Sequence, residues 1–121
     1  MAGLPETGGF AGFVELPPFE RRRELYLSDH DYLQLQRLLL ESPRAGDVIP
    51  GVGGLRKLRF GDPRRGKGRR GGLRVIYYFW TGGPEFWLFT VYGKDEADDL
   101  SAEQRTQLQK MIKAELHARS R

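Results

Sequence analysis

A chain of 121 residues whose hydrophobic period switches from helical to two after residue 54, and back to helical after residue 100, predicts an α+β domain. Three observations carry that prediction. Apolar residues recur at helical spacing from Tyr32 to Leu39, three strand-like runs separated by glycine-rich turns fill 55–92, and a capped helix closes the chain. The expected architecture is a small antiparallel sheet, mixed with an N-terminal strand, packed against N-terminal helices and a C-terminal helix on one of its faces. The length suits one compact domain, expected over 13–121, preceded by a small, glycine-rich and flexible segment over 1–12.

Phe13-Val14-Glu15-Leu16 reads as a short strand stopped by Pro17-Pro18. A helix begins at those prolines, because a first-turn N–H is unsatisfied in any case. Phe19 and Tyr26 share one face of it, leaving Arg21, Arg22 and Arg23 for solvent or a partner. Ser28 is an N-cap for the next helix, and Asp29 and Asp31 suit its first turn. Tyr32, Leu35, Leu38 and Leu39 form its buried stripe, and Ser42-Pro43 ends it.

Residues 44–54 read as a loop, rich in glycine and proline after Val48. Beyond it Leu58 and Phe60 alternate with Leu55, Lys57 and Arg59, giving an apolar and a basic face. Residues 61–72 are a Gly/Arg-rich connection. The next strand, Leu73 to Trp80, sets Val75, Tyr77 and Phe79 against Arg74, Ile76, Tyr78 and Trp80. After a turn at 81–84, the run from Phe86 to Tyr92 is apolar at nearly every position, as expected of a strand covered on both faces. Ser101 and Gln104 make a capping box, and Leu108, Met111, Ile112 and Leu116 a buried stripe. Lys110, Lys113, Arg119 and Arg121 suit the C-terminal half of that helix.

Composition narrows the function. The net charge is +4, yet the segment 55–74 holds nine basic residues and one acid, a net +8, while the other 101 residues sum to −4. Positive charge concentrated in one segment points to a polyanionic partner. With 39% apolar residues and 12% aromatic ones the chain can build a core. No apolar run approaches the roughly 20 residues needed to span a bilayer, and no membrane partner is expected. The N-terminal residues lack the basic and apolar regions of a secretory signal. Zero cysteine removes disulfides, thiolate nucleophiles and Cys-based zinc sites, which fits a reducing cytoplasm. Leu4-Pro5-Glu6-Thr7-Gly8 resembles a sortase recognition sequence, but such a signal precedes an apolar C-terminal tail, so no function is read from it.

The constellation that carries chemistry is the basic, aromatic sheet. Lys57 and Arg59 point the same way from one strand, Arg74 opens the neighbouring one, and Tyr92-Gly93-Lys94 closes the last. Paired as a meander, these side chains converge on one face. Guanidinium groups bind phosphate bidentately, lysine binds it as a point charge, and aromatic rings stack bases. The competing reading is a solvated basic face without a ligand. Arg56 and the loop residues Arg64, Arg65, Lys67, Arg69 and Arg70 add a cationic segment that follows an RNA backbone without reading its sequence. No Gly-Lys-Ser/Thr step leads into a helix, so a P-loop is excluded. Asp95, Glu96, Asp98 and Asp99 read as the acidic approach to a helix rather than a Mg²⁺ site, and no metal or other cofactor is expected. His30 and His117 read as surface histidines.

Gly53-Gly54-Leu55-Arg56-Lys57-Leu58-Arg59, Gly71-Gly72-Leu73-Arg74-Val75-Ile76-Tyr77-Tyr78-Phe79 and Tyr92-Gly93-Lys94-Asp95-Glu96, in that order, resemble the RelE/HigB toxins of bacterial toxin–antitoxin pairs. The likeness spans about 13–118. It implies a microbial-ribonuclease-like fold that cleaves mRNA in the A site of the 70S ribosome. The reaction is attack of a ribose 2′-OH on the adjacent phosphate, without metal, releasing a 5′-OH end. It also implies a cognate antitoxin protein as partner. On this resemblance Lys57 and Arg59 supply the basic groups of the first motif, Arg74 holds the scissile phosphate, and Lys94 is the lysine of the Gly-Lys step. Two features depart from the pattern: Asp95 stands where some members have a second basic residue, and no tyrosine follows Tyr92. Tyr92 is therefore expected to supply stacking or proton transfer. A lysine or tyrosine acting as general base needs its pKa lowered by neighbouring cations. Two rival functions share these features: a gyrase-poisoning toxin on the same fold, and a non-catalytic RNA-binding or ribosome-associated module.

Overall fold

Helix caps form where the sequence places them. In a computed structural model, which describes residues 12–61, 72–94, 96 and 99–119, helix α1 (Pro17–Tyr26) starts at the double proline. Helix α2 (Asp29–Glu41) is capped by Ser28, whose Oγ accepts the Asp31 N–H at 3.0 Å. Helix α3 (Ala102–Arg119) carries the full capping box: the Ser101 N–H donates to Gln104 Oε1 at 2.8 Å and the Gln104 N–H to Ser101 Oγ at 3.1 Å. Each such cap stabilises its helix by about 1 kcal/mol, because it satisfies N–H groups that have no partner within the helix.

Five strands form one sheet in the order β1-β5-β4-β3-β2. They are β1 (Gly12–Glu15), β2 (Asp47–Val48), β3 (Arg56–Phe60), β4 (Leu73–Trp80) and β5 (Glu85–Gly93). Strand β1 runs parallel to β5 and every other pairing is antiparallel, so the sheet is mixed as expected. Strand β2 falls inside the segment expected to be loop. Two residues are too few to show a period, and tertiary contacts hold it in place: the Tyr77 hydroxyl donates to the Pro43 carbonyl and accepts from the Gly46 N–H, both at 3.0 Å. A Cβ on Gly46 would lie 2.9 Å from the Lys57 carbonyl oxygen, so this approach requires glycine.

The helices do not share one face, which corrects the expectation. Phe19, Tyr26, Tyr32, Leu35 and Leu39 of α1 and α2 pack on Leu58, Val75, Tyr77, Phe86 and Leu88. Leu108 and Ile112 of α3 pack on the opposite face, with Leu55, Ile76, Trp87, Phe89 and Tyr92. The physical reason lies in β4 and β5, whose residues are apolar on both sides, so each face needs its own cover. The doubly covered β5 expected from its apolar run is what the structure contains.

One irregularity positions the site. Between β4 and β5 the register runs Tyr77↔Leu88 and then Ile76↔Thr90, leaving Phe89 as an extra residue in β5. This bulge reverses the in–out alternation of β5 beyond it. Phe86 and Leu88 face α1 and α2 before the bulge, whereas after it Val91 faces them and Tyr92 faces α3.

Candidate active site

Across β3, β4 and β5 the register places Arg59 directly opposite Arg74, and Arg74 directly opposite Tyr92. Directly paired residues project to the same face with Cβ atoms about 5 Å apart. Lys57 stands on that face too, two rungs along, opposite Ile76. The alternation in each strand agrees: Leu58, Leu73 and Val75 lie in the α1/α2 core, so Arg59, Arg74 and Lys57 lie on the α3 side. Two arginines directly opposite each other repel, a local cost that a bound anion relieves.

Arg74 is 4% exposed and is the buried charged residue among those described. Its Nη1 donates to the Leu73 carbonyl at 3.2 Å. Tyr92 is 6% exposed, and its hydroxyl is buried without a hydrogen-bond partner among the described residues. A buried hydroxyl left so costs about 1–3 kcal/mol relative to a satisfied one.

Asp99 stands over this row. Its carboxylate lies 3.5 Å from Lys57 Nζ and 3.7 Å from Arg105 Nη2. The Leu100 N–H hydrogen bond, with Lys57 and Arg105, holds the Asp99 carboxyl below the usual range. Burial raises the pKa of Tyr92, Asp99 pushes it the same way, and Arg74 opposes both. The phenol therefore keeps its proton at neutral pH. The direction is opposite to the cation-lowered pKa that a tyrosine acting as general base needs.

The remaining cations expected at the site are dispersed. Lys94 is exposed just past the end of β5, where its N–H donates to the Gly72 carbonyl at 3.0 Å and extends the ladder by one rung. Arg56 belongs to the opposite face, and its guanidinium donates to the carbonyls of Gly46 at 2.7 Å and Arg44 at 3.3 Å. Arg64, Arg65, Lys67, Arg69 and Arg70 lie outside the described residues, as do residues 1–11 of the segment expected to be flexible.

The acidic run divides rather than acting together. Glu96 is held by α1, through an ion pair with Arg22 and a hydrogen bond from the Tyr26 hydroxyl, and it also accepts the Gly93 N–H at 3.2 Å. Arg22 Nε donates to the Val91 carbonyl at 2.7 Å. Arg22 is thus not turned toward solvent, because burying the end of α1 against β5 requires that carbonyl to be satisfied. Arg23 likewise reaches Asp29, at 2.7 Å. Asp95 and Asp98 lie outside the described residues. Sequence reasoning missed the pairing of Asp99 with Lys57 and the Arg22–Glu96–Tyr26 cluster. The one available signal was the short distance between Lys94 and the acids that follow it.

No family model matches the chain. Among solved structures, the chain is similar to Escherichia coli toxin RelE, in the free state of a mutant with two arginines replaced by alanine. The TM-score is 0.51 and the sequence identity 16%, over 74% of this chain and 88% of that one. The protein therefore has a RelE-like fold. Among the described residues no helix is long and apolar enough to cross a membrane.

Proposed function

We propose that this protein is the toxin of a type II toxin–antitoxin pair and a ribosome-dependent endoribonuclease that cuts mRNA in the A site. The observation that carries the reading is the row Arg59–Arg74–Tyr92 across three strands, on a RelE-like fold. In the reaction the ribose 2′-oxygen bonds to the adjacent phosphorus and its proton passes to a base. The P–O5′ bond breaks, and the departing oxygen takes a proton. The ends left are a cyclic phosphate and a 5′-hydroxyl. Arg74 and Arg59 hold the non-bridging oxygens and stabilise the charge that develops on them. Lys57 adds positive charge on the same face, and Lys94 meets the flanking backbone. Tyr92, whose phenol is protonated at neutral pH, donates the proton to O5′. The cognate antitoxin and the mRNA on the 70S ribosome are the partners, and the cytoplasm is where both are met.

Arg74→Ala tests the reading. Removing a preorganised charged donor at the phosphate lowers cleavage by roughly 10²–10³-fold, so expression of a folded Arg74→Ala protein should no longer arrest growth. Undiminished arrest would refute the proposal. Mapping transcript 5′ ends after brief induction should show cuts that require translating ribosomes. Loss of supercoiling without such cuts would instead identify a gyrase poison. RNA binding that weakens steeply with salt, without cuts, would identify a non-catalytic module.

A further inference from the structure

The end of β1 leaves a groove in the molecule. Strand β1 pairs with β5 only as far as Glu15↔Leu88, and the Leu16 N–H donates to the Leu88 carbonyl at 2.9 Å. Beyond that point no strand among the described residues covers the outer edge of β5, and a groove of about 890 Å³ opens there between α1 and α3. Thr90 and Tyr92 of β5 line it, and Tyr92 is also the last residue of the row Arg59–Arg74–Tyr92. That volume is within the roughly 300–1,000 Å³ typical of sites that enclose a small ligand.

The lining has the character of a nucleobase subsite. Pro18, Leu108 and Met111 offer apolar surface for the faces of a flat ring. Gln107, exposed on α3, offers an amide that both donates and accepts, as the edge of a base does. Tyr92 links the groove to the row, and its hydroxyl is buried without a partner among the described residues. Of the charges in the walls, Arg22 and Glu96 neutralise each other, leaving Arg21 and Lys110 against Glu103. An added β-strand suits the groove poorly, because the Val91 carbonyl it would pair with is already taken by Arg22.

We infer that this groove binds the nucleotide next to the scissile phosphate, with its base between Met111 and Pro18 and its edge read by Gln107. The inference rests on the ribonuclease reading above. It adds that the enzyme grips a base outside the row that handles phosphate.

The experiment compares two non-cleavable 2′-O-methyl trinucleotides, one complete and one with an abasic position. They are titrated into the full chain and into Gln107→Trp, which fills the groove from an exposed position, with Gln107→Ala as a second variant and circular dichroism to confirm folding. The parent should bind the complete trinucleotide about tenfold more tightly than the abasic one, and Gln107→Trp should erase that difference. Equal affinity of the parent for both ligands, or full discrimination retained by Gln107→Trp, would overturn the inference. So would concentration-dependent self-association that Gln107→Trp abolishes, since a second copy would then occupy the groove. The two readings fail separately. Discrimination by a protein that cuts no mRNA would leave the subsite and remove the nuclease. Ribosomal cleavage unchanged in rate and position by Gln107→Trp would do the reverse.

Discussion

Arg74 and Tyr92 face each other across β4 and β5, on the α3 side of the sheet, because Phe89 occupies one extra position in β5. Without that residue the alternation from Phe86 would carry Tyr92 to the α1/α2 core, away from both arginines. The bulge thus sets the Arg74 guanidinium beside the Tyr92 phenol, and on the proposed reading the pairing has measurable consequences.

Replacing Tyr92 by phenylalanine separates function from stability. The hydroxyl is buried and has no partner among the described residues, so its removal should leave the fold intact and raise the unfolding free energy, by up to about 1–3 kcal/mol. Single-turnover cleavage on programmed ribosomes should fall by roughly 10²–10⁴-fold. A Tyr92→Phe protein that cleaves at the parental rate would exclude the phenol as the acid.

Asp99 pairs with Lys57 at 3.5 Å, so on the proposed function it competes with the RNA phosphate for that lysine. Asp99→Asn should strengthen binding of a non-cleavable RNA by up to about fivefold at low salt, an exposed pair of this kind being worth at most about 1 kcal/mol. The gain should shrink as salt screens it. Because Asp99 raises the pKa of Tyr92, the same substitution should move the tyrosinate absorbance transition to lower pH.

Glu96 makes folding sensitive to acid. Burial alone would raise its pKa, but hydrogen bonds from Tyr26, Arg22 and the Gly93 N–H outweigh that and hold it below the usual carboxylate range. A group whose folded pKa is depressed contributes stability above its unfolded pKa, near 4.3, and loses it as pH falls through the folded value. With the Glu96 side chain 38% exposed, solvent screening limits the contribution to about 1 kcal/mol or less. Urea unfolding should therefore find Glu96→Gln weaker than the parent at pH 6, with the gap closing below pH 4. A gap that persists at low pH would show that Glu96 acts through packing.

Ser101→Ala removes the oxygen that accepts the Gln104 N–H. It should cost about 1 kcal/mol and lower the Tm by about 4 °C in a calorimetric scan. An unchanged Tm would mean that packing of Leu108 and Ile112 alone defines the start of α3.

Much of the fold was legible because its signals are local. Pro17-Pro18, Ser28 and the Ser101–Gln104 box mark helix starts through hydrogen bonds made within four residues. The alternation of β3 was legible for the same reason, and it already set Lys57 and Arg59 on one face. Strand β2 was not legible, since two residues held by Tyr77 carry no period of their own. Arg22 was misread because its partners, Val91 and Glu96, are separated from it by 69 and 74 positions.

By itself, the sequence determined the α+β composition, the caps, the two-sided burial of β5 and the concentration of positive charge in one segment. Tertiary structure alone decided which side Tyr92 faces, where Asp99 and Glu96 go, and that α3 takes the face opposite to α1 and α2. The physical reason is the same in each case. Side-chain alternation is visible only where one face of a strand is polar. A run such as Phe86–Tyr92, apolar on both faces, contains nothing that marks a bulge. Only its pairing with β4 counts the residues and sets the phenol beside the arginines.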